Sequence, residues 1–287
     1  MKWRSKAINC FGRTFVIMEF YDAMNYRGWV KSFSMDGLDT RLEGMIINYV
    51  KYLKGLNEEF TDRFEIVRRS DVNKSMIGTF STKAPYYFII YINDLEKELL
   101  NAGYLMGQLA LYLTTKELGS LLIGVEKVKT KAQVPTMLQS STVDHEAMEE
   151  ETWMAIMAFG KPERKLRPTP KKLPEYILDK KCIYKSPIDT RVQAIINTAV
   201  YAPTKMRIRP YRFLVNELKV HVYGKHEALM TTYQRVTFYL DCGIMLAYLG
   251  LKAEEQWMTM VVKQAPKLMQ REQKHYRYII SLQFEDQ

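Results

Sequence analysis

With 47% hydrophobic and 26% charged residues among 287, the chain has the composition of a folded protein able to bury a sizeable core, which excludes disordered, collagen-like and disulfide-stapled classes. The three cysteines, Cys10, Cys182 and Cys242, lie far apart in no CxxC pairing, so inert thiols in a reducing, cytoplasmic setting are expected. A formal net charge of +10 invites a nucleic-acid or anionic-membrane reading, and the location of that charge decides the matter.

Residues 1–17 read as an N-terminal extension, with too short an apolar run for a signal peptide, and Met18 begins the organised sequence. A short helix is expected over Glu19–Tyr26, ending near Arg27-Gly28. The apolar spacing of Leu42, Met45, Ile46, Tyr49, Val50 and Leu53 predicts an amphipathic helix over Leu38–Tyr52. Tyr86–Tyr91 is continuous, aromatic and β-branched, the pattern of a buried strand. Asn101–Leu118 runs apolar on nearly all sides, a central helix whose small residues Gly103, Gly107 and Ala110 admit close packing. Leu118-Gly119 ends that helix, Leu121–Gly124 leads out, and Thr152–Phe159 is a second strand closed by Gly160-Lys161-Pro162.

Residues 161–185 differ in character. They hold nine basic residues against three acidic ones, with Pro162, Pro168, Pro170 and Pro174 interleaved, so they read as an extended crossing segment. Beyond them, a helix is expected over Ile188–Tyr201, strands over Tyr211–Val215 and Lys219–Tyr223, an all-round apolar helix over Thr237–Glu255, and a terminal strand over Tyr276–Phe284. Val236–Leu251 is too short for a membrane span and contains Asp241, which suits a buried core helix. The four histidines form no HExxH and no Cys/His pairing, so no metal site is expected. No zinc-finger spacing or RNA-binding sheet motif accompanies the charge, so nucleic acid is not an expected partner. The pattern is α+β in two comparable halves. The stretch Ala102–Leu111 can be laid on Cys242–Leu251 with Gly, Leu and small residues coinciding, an echo that apolar composition alone also produces.

Several segments, in order, resemble the FMN-dependent nitroreductase fold in its fused form, where one chain holds two halves arranged like the dimer of the ordinary enzymes. Phe20–Phe33 resembles the family's opening "ai..RrSvRkF", and Lys83–Tyr87 its first core strand. Asn101-Ala102-Gly103 with Leu109–Gly124 resembles the central helix and "GLGtcWlG", Ala155–Pro162 the strand ending in "GyP", and Ala202–Phe213 the "APSa.N.QPW.F" stretch. The resemblance implies an internally duplicated chain, an extension over 1–17 followed by halves over 18–165 and 166–287, packed as one monomeric unit. It implies bound FMN, NADH or NADPH as electron donor, and a small-molecule acceptor of nitroaromatic or quinone type. No side chain need act as acid, base or nucleophile.

A flavin mononucleotide needs cations and donors for its phosphate and apolar walls for its ring. Arg27 and Lys31, four apart, can reach one phosphate, with Lys161, Arg167 and Lys171 supplied by the Pro-rich segment. Gly119 would let backbone approach the ring, and Pro203, Thr204, Lys205 and Arg207 would close the site from the second half. Each residue also has a plain alternative: solvated cations, a helix C-cap at Gly119, a helix stop at Ala202-Pro203. The family's phosphate-binding Ser is occupied here by Trp29, its second Arg by Lys31, and the first Gly of "GLG" by Glu117. Lys31 is a point charge without Arg's bidentate fork, and Trp29 could stack on the ring or fill the pocket. The alternative to an oxidoreductase is therefore a binding protein of the same fold whose flavin site is lost or altered.

Overall fold

Helix and antiparallel strand alternate along this chain as the α+β reading expects. The computed structural model describes residues 6–8, 14–16, 20–26, 29–56, 63–71, 82–93, 97–129, 137, 151–167, 188–204, 211–225, 230–263 and 276–287. The extension pairs β1 (Lys6–Ile8) with β2 (Thr14–Val16), two strands where none was expected, and the first half then contains α1 (Phe20–Tyr26), α2 (Thr40–Lys51), β3 (Phe64–Arg68), β4 (Tyr86–Ile92), α3 (Lys97–Thr115), β5 (Gly119–Lys129) and β6 (Glu151–Gly160). The second contains α4 (Thr190–Asn197), β7 (Tyr211–Asn216), β8 (Lys219–Lys225), α5 (Thr232–Glu255), β9 (Met258–Lys263) and β10 (Tyr276–Asp286).

Two four-stranded antiparallel sheets result, ordered β3-β4-β6-β5 and β7-β8-β10-β9. The connectivity is the same in each: two adjacent strands, a long central helix, then two strands of which the later sits inside. The helix preceding each sheet is also built alike. Asp39 caps α2 by accepting from Leu42 N at 2.9 Å, and Asp189 caps α4 by accepting from Arg191 N at 2.7 Å. Both caps open the same triplet, Asp39-Thr40-Arg41 and Asp189-Thr190-Arg191.

The central helices pack against one another through glycine. A Cβ on Gly103 would lie 2.3 Å from the Leu240 carbonyl oxygen, and one on Gly243 would lie 2.1 Å from that of Leu100. One on Gly107 would meet the Ala247 Cβ at 2.7 Å. The residues that the sequence lays together, Gly103 with Gly243 and Gly107 with Ala247, are thus the ones that touch. The contact is reciprocal, as at a two-fold axis. One continuous apolar core runs from the inner face of the first sheet through both helices to the inner face of the second. α5, the one helix among the described residues long and apolar enough to cross a membrane, is 94% buried in this core over its most apolar stretch.

Several boundaries differ from the sequence reading for physical reasons. α3 ends at Thr115 rather than Leu118 because Glu117 turns left-handed (φ 61°). Leu118 N then bonds to Leu113 O at 2.9 Å and Glu117 N to Thr114 O at 3.0 Å, closing a Schellman end. α5 closes similarly at Trp257 (φ 56°), whose N–H bonds to Glu254 O at 3.0 Å. The lead-out over Leu121–Gly124 is part of the much longer strand β5, with a bulge between Leu122 and Gly124. β3 and β9 are strands where none was expected. α4 stops at Asn197 and tightens into a 3₁₀ turn over Thr198–Val200.

Candidate functional site

The segment from Trp29 to Ser34 is held as a strap across the end of the first sheet. Trp29 forms a parallel bridge with Ser120 at the start of β5, and Val30 N donates to Ser120 O at 3.1 Å. Phe33 pairs antiparallel with Pro162, just past the end of β6. There Ser34 N donates to Lys161 O at 2.9 Å and Glu163 N to Ser32 O at 3.3 Å. β5 and β6 meet at this point through Gly119 opposite Gly160.

A third pin fixes the chain beyond the strap. Leu38 N donates to the Tyr86 hydroxyl at 2.8 Å, and that hydroxyl donates to Glu43 Oε1 at 2.5 Å. The other Glu43 oxygen accepts from Arg68 at 2.7 Å. Burial pushes the Glu43 carboxyl up, but the hydrogen bonds from Arg68 and Tyr86 outweigh it and hold the group below its ordinary value. The same environment, burial first and then the Glu43 hydrogen bond, raises the Tyr86 phenol. The strap, the N-terminus of α2 and the sheet are therefore one hydrogen-bonded unit. A small pocket with room for about one water, lined by Leu38, Ile46, Ile66, Tyr86 and Phe159 among others, lies between α2 and the sheet.

The strap brings together Trp29, Lys31, Gly119 and Lys161 of the expected residues, with Glu117 two residues upstream of Gly119. A Cβ on Gly119 would lie 2.5 Å from Val30 Cγ2, so the missing side chain admits the strap. Gly160 does likewise for Pro85, whose Cγ would stand 2.6 Å from an added Cβ. Glu117 stands exposed in the left-handed C′ position that glycine fills most readily. Lys31, Lys161 and Arg167 are exposed, and Arg164 and Lys165 add two more exposed cations beside Glu163. Trp29 is half-buried against the main core, while Val30 packs on the outer face of the sheet.

Pro203 and Thr204 are half-buried in the second half, following the 3₁₀ turn at Thr198–Val200. That turn is anchored by Tyr211, whose hydroxyl donates to Ala199 O at 2.6 Å, and by the Thr198 hydroxyl bonded to Ile195 O at 2.6 Å. Arg27, Lys171, Lys205 and Arg207 lie outside the described residues, as does the Pro-rich stretch beyond Arg167. Sequence reasoning passed over Ser120, Glu43 and Tyr86. The signal for Ser120 was present, since it is the one polar residue in the run Leu118–Ile123.

The chemistry available is cationic and exposed at one end, apolar and enclosed at the other. Cys242 offers no reactive thiol, because complete burial pushes its pKa well up.

Comparison with known proteins adds a relationship. A family model described as "Putative TM nitroreductase" matches residues 19–253. Among solved structures the chain is similar to a "putative nitroreductase" from Thermotoga maritima, 16% identical with a TM-score of 0.58, the match covering 96% of this chain and 99% of that one. A "Putative NADH dehydrogenase/NAD(P)H nitroreductase" from Bacteroides thetaiotaomicron is 13% identical over 57% of this chain and 95% of that one, with a TM-score of 0.36. The NADPH:FMN oxidoreductase of Vibrio harveyi is 14% identical over 55% of this chain and 74% of that one, with a TM-score of 0.38. No curated protein matches the sequence. The Thermotoga likeness establishes the nitroreductase-like fold of this chain.

Proposed function

Since the chain belongs to the family described as "Putative TM nitroreductase", we propose that it is an FMN-dependent oxidoreductase using NADH or NADPH, its two halves standing where two subunits stand in the dimeric enzymes. The chemistry FMN supplies when bound is hydride acceptance from the nicotinamide and delivery of both electrons to an acceptor of nitroaromatic or quinone type. The residues present fit such a group. Lys31 on the strap and Lys161 beside it, both exposed, would hold the phosphate by charge. Leu122, Phe159 and Trp29 supply apolar surface. The observation that carries the reading is the strap itself, whose residues on either side of Lys31 are tied to β5 and to the Lys161–Glu163 turn after β6 by three hydrogen bonds of 2.9–3.3 Å.

In this reading the protein binds and orients; no side chain of the site is a proton donor or nucleophile. Matching strand orders and the reciprocal glycine contact support an internally duplicated chain that works as a monomer, since the subunit interface has become intramolecular. The basic Pro-rich stretch serves a local anion rather than nucleic acid. The test is spectroscopic. Protein purified and incubated with FMN should retain flavin absorbance through gel filtration and then oxidise NADH or NADPH in the presence of a quinone; protein that stays colourless overturns the proposal.

Trp29 favours a second reading. Its half-buried indole stands where the resembled family places a small phosphate-binding Ser, so the pocket is narrowed at that point and flavin affinity reduced. A binding role without turnover follows if Trp29→Ser restores flavin retention that the wild type lacks.

A further inference from the structure

The Ser120 hydroxyl is buried and without a hydrogen-bond partner among the described residues, in a residue only 1% exposed. An orphaned buried hydroxyl costs about 1–3 kcal/mol, a penalty that Ala at the same place would avoid. Its position in the sheet says what could repay it. Ser120 stands opposite Phe159, and strand alternation puts it on the same face as Leu122, toward the main core. One residue back, Gly119 faces Gly160, after which comes the exposed Lys161. Along this strip the order is therefore cation, hydroxyl, apolar wall. A complementary ligand carries an anionic end, a hydroxylated middle and a planar apolar end.

We infer that the Ser120 hydroxyl hydrogen-bonds the polyol chain of the bound flavin, between the lysines at the phosphate and the apolar wall at the ring. This rests on the flavin reading above and deepens it. Trp29, bridged to Ser120 through the backbone, flanks the strip.

The experiment compares FMN with lumiflavin, which keeps the ring but lacks both polyol and phosphate, on the wild type and on Ser120→Ala, by flavin fluorescence titration. Ser120→Ala should bind FMN about five- to tenfold more weakly, the loss of one hydrogen bond, and lumiflavin as the wild type does. The ligand-free variant should melt higher than the wild type, because an unsatisfied polar group has gone. Equal FMN affinity in the two proteins, an equal loss for FMN and lumiflavin, or a lower melting temperature in the ligand-free variant each overturns the assignment of Ser120. A wild type that binds neither ligand overturns the flavin reading itself, and this inference with it.

Discussion

The two sheets share a strand order and differ in what covers them. The outer face of the first is a second apolar cluster of Val67, Tyr87, Ile89, Met154, Ile156 and Ala158, all at most 1% exposed. Its buried charge is dealt with locally, since Glu65 accepts from the Tyr91 hydroxyl at 2.8 Å. The outer face of the second sheet is polar and aromatic. His221 Nδ1 lies 2.6 Å from Ser281 Oγ, which also bonds the Tyr278 hydroxyl at 2.8 Å, and Arg212 stacks over Tyr276 at 4.1 Å. The edges differ too: the strap joins β5 at Ser120. At corresponding turns after the central helices, one half carries Glu117 and the other Trp257, which is 77% exposed. One topology thus accommodates a sheet apolar on both faces that carries the strap, and a sheet whose outer face stays polar. The fold dictates the inner faces, which must meet the helices, and leaves the outer faces free to specialise.

The strongest way to break this comparison is to strike what both halves share. Gly243→Val should destabilise the protein by more than about 3 kcal/mol, because its side chain would enter the backbone of α3 with nowhere to relax. Thermal unfolding should show both sheets lost in one transition; a variant with wild-type stability would mean the helices can separate without cost. Tyr86→Phe acts on the first half alone. It strips Leu38 N of its acceptor and Glu43 of a donor, costing about 1–3 kcal/mol in denaturant unfolding and loosening the strap, so FMN affinity should fall with it. A variant that lost stability yet bound FMN unchanged would detach the strap from the site.

Acid should separate the sheets by pH. Burial, and after it the Lys219 charge, hold the His221 imidazole below its ordinary 6.5, so its contribution is complete above pH 6.5 and is lost as pH falls through the depressed value. Glu43, also depressed, contributes above its ordinary 4.5 and fails only below it. Melting temperature should therefore decline first through the second sheet, and His221→Asn should flatten that part of the profile; an unchanged slope would exonerate His221. The smallest effect belongs to Arg68→Ala. The Arg68 side chain is 46% exposed, so loss of its pair with Glu43 should cost under about 1 kcal/mol by double-mutant cycle with Glu43→Gln.

What the sequence made legible were the elements buried on every side. β4, α3 and α5 are continuous apolar runs, and their existence follows from composition alone. β3 escaped notice because Glu65 interrupts Phe64-Glu65-Ile66-Val67, and the distant Tyr91 hydroxyl that donates to its carboxyl is visible only in the folded chain. β9 follows directly on a helix and alternates weakly. The repeated Asp-Thr-Arg at both caps was visible, yet comparison of the halves drew attention to their most apolar helices, where matches mean least. On the strap, order and charge single out Lys31, Lys161 and Trp29 as candidates, and the structure places them along one end of the first sheet. The contact of Gly119 with Val30 was not legible, because what a glycine makes room for depends on a neighbour that only the folded chain supplies.

The contact between Gly103 and Gly243 has a genetic consequence. In a symmetric dimer one codon writes both sides of the axis, so every change there lands twice and must be tolerated by its own mirror image. Here the two glycines have separate codons, and a change at one can be answered at the other. The same independence extends outward from the crossing to Glu117 and Trp257, corresponding turns that carry a carboxylate and an indole. A single chain of this architecture can therefore vary one of its two ends without varying the other.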